Sequence, residues 1–157
     1  PCCACRVSPR RPARRAGTAS PLSPPRRRSR GRWGVTELQG VPALQEGIAN
    51  SIQAARPGNT AGDVARAFYT VLAKRGIARD GRCGYPIGLS YPPDWGERTF
   101  SIRPDDETVL MPNMTFHLMP ALWMDEWGLE ITEPLLIGDS GSAICLAHYP
   151  RKLFVRA

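Results

Sequence analysis

The stretch "VLMPNMTFHLMP" (residues 109–120), read together with "GLEITEPLLIG" (128–138), decides the fold. In the first, Met114, Phe116 and Leu118 alternate with Thr115, His117 and Met119. In the second, Leu129 and Ile131 alternate with Glu130 and Thr132, and Glu133 follows. A period of two sends successive side chains to opposite faces of a strand, so both segments are expected to be strands with one apolar face. "SAICLA" (142–147) is a short third strand, and "LMPN" and "GDSG" supply the turns.

Upstream the period changes. "VPALQEGIANSIQAARPG" (41–58) has apolar residues at 41, 44, 48, 52 and 55, which is helical spacing, and Pro57-Gly58 ends it. Thr60 is placed as the N-cap of the next helix, with Asp63 three residues on in a near capping box. "TAGDVARAFYTVLAKRG" then sets Val64, Phe68, Val71 and Leu72 on one face, and Gly76 closes the segment. Helices followed by antiparallel strands make an α+β chain.

The stretch "RCGYPIGLSYPPDWGE" (82–97) joins the two halves and is too irregular for a helix and too broken for a plain strand. Its prolines and glycines fix a kinked path that carries Tyr85, Tyr91 and Trp95.

Charge divides the chain at about residue 35. Ten of the 21 Lys+Arg lie in the first 34 residues, which hold no acid, leaving 11 against all 14 Asp+Glu in the remainder, a net of −3. The first 35 residues, rich in Arg and Pro and poor in aliphatic side chains, cannot offset their chain entropy by burial and are expected to be a disordered tail. The chain starts on Pro1 rather than Met, as expected of a fragment or a shifted start. No stretch has the form of a signal or transit peptide or is long enough to span a membrane, so a cytoplasmic protein is expected. Of the five cysteines, Cys2, Cys3 and Cys5 cluster in the tail and Cys83 and Cys145 lie far apart; no spacing suggests zinc, and free thiols are expected.

The order "ARPG", "TAGDV", a helix ending in "RG", "GYPIG", "VLMPNMTFHLMP" and "GLEITEPLLIGDSG" resembles the later part of the pita-bread catalytic domain. That domain is shared by methionine aminopeptidases, aminopeptidase P, prolidase and creatinase. The resemblance covers residues 36–157 and, through "GYPIGLSYPPDWGE" and "DETVLMPNMTFHLMPALWMDEWGLEI", is nearest to the creatinase-like branch and its ectoine hydrolases. It implies a partial pita-bread fold: two amphipathic helices on a curved antiparallel sheet, with the first half of the domain and the domain before it lacking counterparts here.

The resemblance also implies where the chemistry lies. Metallopeptidases of this fold hold paired metal ions with Asp, His and Glu side chains that activate a shared water. The two Asp would precede residue 36. The His position falls on Tyr85 in "GYPIG", the first Glu position on Met119 in "FHLMP", and the last Glu matches Glu133, with Glu130 the alternative. Phenol and thioether are poor ligands for hard dications, so no metal and no cofactor are expected. The implied reaction is metal-independent hydrolysis of a C–N bond in a small zwitterion, as in opening the cyclic amidine of ectoine. Glu133 is the candidate nucleophile or base, His117 the proton shuttle, and Tyr85 their companion. Tyr91 and Trp95 are candidate aromatic walls for an amidinium, Glu97 its counter-charge, and Arg98 or Arg103 the partner of the carboxylate. Trp123 and Trp127 are expected to pack in the core or a dimer contact. The full-length parent is expected to be a homodimer, and the fragment alone inactive.

Two other functions stand beside this one. A metallo-aminopeptidase or Xaa-Pro dipeptidase would need the ligands that Tyr85 and Met119 replace. An arginine-rich nucleic-acid binder would use the tail alone, because the body, at net −3, has no basic groove.

Overall fold

The computed structural model describes residues 6–9, 37–88, 99–125 and 127–152. Helix α1 spans Glu37–Ala54 and buries Ala43, Leu44, Ile48 and Ile52 along one stripe. It begins a turn earlier than the apolar spacing suggests and contains Pro42. Helix α2 spans Ala61–Lys74 and buries Val64, Phe68, Val71 and Leu72, the face expected from its spacing. Its start is a complete capping box: Asp63 N–H donates to Thr60 Oγ1 at 3.1 Å, and Thr60 N–H donates to Asp63 Oδ2 at 2.8 Å. Gly76, at φ +66°, turns the chain out of the helix in a conformation that a Cβ would disfavour. Leu44, Ile48 and Phe68 are fully buried, and each such side chain contributes about 1.5–3 kcal/mol of burial free energy.

Seven strands are described: β1 Arg6–Pro9, β2 Gly84–Pro86, β3 Thr115–Leu118, β4 Ala121–Trp123, β5 Trp127–Glu130, β6 Glu133–Leu136 and β7 Ile144–Cys145. They form a four-stranded sheet β2-β3-β6-β7 and a three-stranded sheet β1-β5-β4, all antiparallel. The sheets are two parts of one long hairpin. Thr115 faces Leu136 at one end and Trp123 faces Gly128 at the other, in one unbroken register. The expected strands over 114–120 and 128–138 are each split in two, and Pro120 is the reason. It has no N–H to give the ladder, so only Ile131 N–H, donating to Pro120 O at 3.3 Å, bridges the middle.

Residues 1–5 and 10–36 of the expected tail lie outside the described residues. Arg6–Pro9 is described as a strand that pairs antiparallel with β5, Arg6 opposite Glu130 and Pro9 opposite Trp127. An extended backbone needs little apolar side chain to add to an edge that offers unpaired N–H and C=O groups.

The alternation decides what each face of the hairpin does. Phe116, Leu118, Leu129, Ile131, Leu135 and Ile137 are buried and share one core with the stripes of α1 and α2. Thr115, His117, Met119, Glu130 and Thr132 lie on the other face and are half-buried. Trp127 joins the core, whereas Trp123 is exposed. Among the described residues no helix is long and apolar enough to cross a membrane.

Candidate functional site

The half-buried face of the hairpin carries the one close pairing among the expected catalytic residues. β2 lies beside β3 with Tyr85 directly opposite His117. Directly opposed residues share a face, and here the side chains meet: the phenol oxygen is 3.0 Å from His117 Nδ1, and the rings stand edge-on with centroids 5.3 Å apart. The approach depends on Gly84, where a Cβ would sit 2.3 Å from His117 O. Cys83 N–H donates to Ile102 O at 2.7 Å and Met119 N–H to Cys83 O at 2.6 Å, so β2 is held from both sides.

Burial pushes the His117 pKa below its ordinary range, because the charged imidazolium loses more hydration than the neutral ring. The ring is therefore neutral at neutral pH. Its Nδ1 is tied to Tyr85, and Nε2 has no partner among the described residues. A neutral imidazole with one nitrogen oriented and the other available can accept a proton and return it.

Glu133 is not brought to this pair. It stands opposite Leu118, on the core face with Leu135, whereas His117 stands opposite Pro134 on the other face. Its side chain is 1% exposed and forms an ion pair with Arg151, whose Nε lies 2.6 Å from Oε1. Arg151 Nη2 also lies 3.3 Å from Cys145 Sγ, and Arg151 O accepts from Gln45 of α1. Glu133 thus fastens the segment after β7 to the sheet and the first helix. Glu130, the alternative acid, shares the face of His117 and sits in β5 opposite Ala121.

The remaining candidates divide. Tyr91, Trp95, Glu97 and Arg98 lie outside the described residues. Arg103 is exposed, and its charge is felt at Tyr69 and Cys83 rather than at the Tyr85–His117 pair. A cavity of about 390 Å³ is walled by Pro86, Ile87, Phe100 and Thr115; Pro86 follows Tyr85 in β2, and Thr115 stands two residues before His117 in β3. Sequence reading missed two arginines. Arg151 gave no signal, being 18 residues from its partner. Arg82 stands three residues before Tyr85, and its guanidinium carbon lies 4.9 Å from the centre of the Tyr85 ring.

The donor set on this face can be set against a paired-metal centre. Tyr85, His117, Met119, Glu130 and Thr132 offer phenol, imidazole, thioether, a single carboxylate and hydroxyl, while paired hard dications take several carboxylates. These side chains do not fit such a centre. Among the described residues no three His, Cys, Asp or Glu side chains converge where an ion could sit.

Comparison with known proteins agrees with this architecture. The profile of metallopeptidase family M24 matches residues 36–139. The chain is 59% identical over 115 residues to the ectoine hydrolase of Halomonas elongata, covering 73% of this chain and 29% of that protein. The crystal structure of dipeptidase PepE from Mycobacterium ulcerans superposes with a TM-score of 0.66 at 30% identity, covering 73% of this chain and 30% of that one. The prolidase of Pyrococcus horikoshii shares the fold with a TM-score of 0.66 at 23% identity, over 76% of this chain and 34% of that one. The chain therefore carries part of the pita-bread fold and spans about three tenths of the length of these relatives.

Proposed function

The chain belongs to metallopeptidase family M24, and on that footing we propose that it forms one wall of a hydrolase that opens the cyclic amidine of ectoine-like zwitterions without metal. The observation that carries this reading is the Tyr85–His117 pair on the half-buried face, where the donor set does not fit paired cations. The 59% identity to an ectoine hydrolase supports the substrate class.

In this mechanism His117 Nδ1–H donates to the Tyr85 oxygen, which leaves Nε2 as the base. Water adds to the amidine carbon as Nε2 takes one of its protons. The ring C–N bond then breaks, and the imidazolium returns that proton to the departing nitrogen. One water is consumed, and an N-acetyl group and a free amine result. Tyr85 holds the imidazole in the required tautomer and stabilises its charged form. Glu133 takes no direct part and holds β6 in place through Arg151. Tyr91, Trp95, Glu97 and Arg98 remain the proposed walls and charged partners of the substrate. The parent enzyme is proposed to be a homodimer in the cytoplasm. The 157 residues alone are proposed to be inactive, and ring opening by the purified chain would contradict that.

A second reading, a dipeptidase, is favoured by the 30% identity to PepE. One experiment separates the two. Residues 36–139 are exchanged into the ectoine hydrolase of Halomonas elongata, and ectoine opening and dipeptide cleavage are followed by NMR. Ectoine opening that falls about 10²–10⁴-fold in His117→Gln supports the amidine reading. Dipeptide cleavage alone supports the other.

A further inference from the structure

Arg82 is an exposed side chain on an unusually well-held backbone. Tyr69 Oη–H donates to Gly81 O, Arg79 Nη2 donates to Arg82 O at 2.9 Å, and Cys83 N–H donates to Ile102 O at 2.7 Å. The guanidinium lies over the Tyr85 ring, 4.9 Å from its centre, and that ring continues to the hydroxyl bonded to His117. Most surface arginines near acids pair with them, yet Arg82 has no carboxylate partner among the described residues. Arg79 differs: its two terminal nitrogens are engaged by Cys83 Sγ and Arg82 O, and its guanidinium lies over the rings of Phe68 and Tyr69.

We infer that Arg82 is a carboxylate anchor of the substrate, in addition to the proposed Arg98. This rests on the proposed amidine-opening reading and narrows it to a class: small acids whose carboxylate lies a few bonds from the scissile C–N bond. The Tyr85 ring sets the spacing. Its centre lies 4.9 Å from the guanidinium carbon and 5.3 Å from the imidazole centre, so both groups are in contact with the one ring. The guanidinium grips two carboxylate oxygens at once, a geometry that an ammonium cannot reproduce. It also repels an amidinium, which turns the cationic end of a zwitterion away from Arg82 and toward His117. Neutral amidines and amides lose this orientation and bind poorly.

The test is an NMR titration of the whole 157-residue chain with ectoine and with ectoine carboxamide, reading the ring resonances of His117 and Tyr85. Ectoine should move both. Arg82→Gln should weaken ectoine affinity about tenfold or more while the carboxamide, weak already, binds wild type and variant alike. Arg82→Lys should recover part of the loss. Because Arg82 is exposed, the variant's remaining resonances should be unmoved, which separates lost binding from lost folding. Equal ectoine affinity in wild type and Arg82→Gln, with His117 still responding, would overturn the anchor and leave the functional reading standing. If ectoine moves neither ring in the wild type, the anchor and that reading fail together.

Discussion

His117 sits at a crossing of two requirements. As the proposed base, it must be buried enough to stay neutral and oriented enough to move a proton in one direction. Tyr85 and the narrow approach at Gly84 supply the second. The lowered pKa gives two pH predictions. In the chimeric hydrolase, the acid limb of kcat should fall below pH of about 6.5, since the base keeps working until its lowered pKa is reached. In the isolated chain, the folded state resists protonating His117 more than the unfolded state does. Stability from this source is whole above about pH 6.5 and drains away as pH falls toward the lowered value. Urea unfolding of His117→Gln from pH 7.5 to 5 should show a flatter pH dependence than wild type. An unchanged slope would mean that the imidazole is not buried neutral.

Among the elements, α2 was the most legible in the sequence. Val64, Phe68, Val71 and Leu72 fall on one face by spacing alone, and the Thr60–Asp63 box is a local pattern. Local chemistry of this kind survives without knowledge of the rest of the chain. Thr60→Ala should cost about 1 kcal/mol, read as a Tm drop of about 2–4 °C. The N–H of Thr60, then Arg66, hold the Asp63 carboxyl at about 2. The cap's contribution is therefore present above the ordinary carboxylate pKa of about 3.9 and is lost as pH falls toward about 2. In Thr60→Ala that acid-sensitive part should shrink.

The strands were harder to read. Their alternation was visible, but the break at Pro120 depends on a missing donor in a ladder whose partner lies across the hairpin. Period two also places Glu133 with Leu129 and Ile131, on the core side. A family match by residue type drew it toward the site, whereas strand geometry, one residue out, sends it away. The residues at 91–98 lie outside what the structure describes, so their role stays with the proposal.

For the whole molecule, the hairpin organises everything. One face covers α1 and α2, and the other presents Tyr85, His117 and Met119. The Glu133–Arg151 pair holds the segment after β7 against the sheet, and Arg151 O accepts from Gln45 of α1. Arg151→Ala should cost about 3 kcal/mol in denaturant unfolding, the low end for breaking a buried pair, because Arg151 itself is 32% exposed. A loss under about 1 kcal/mol would mean that other contacts satisfy the carboxylate. In the whole 157-residue chain, Glu133→Gln should lower stability in the same direction, because it breaks the same pair.

The central claim is that amidine opening here runs on organic side chains. It is tested most directly by measuring the metal content of the purified chimeric hydrolase together with its ectoine turnover before and after exhaustive chelation. The account predicts well under one metal ion per chain and turnover unchanged by the chelator. Two tightly held manganese or zinc ions per chain, with activity lost on their removal and restored on their return, would contradict it.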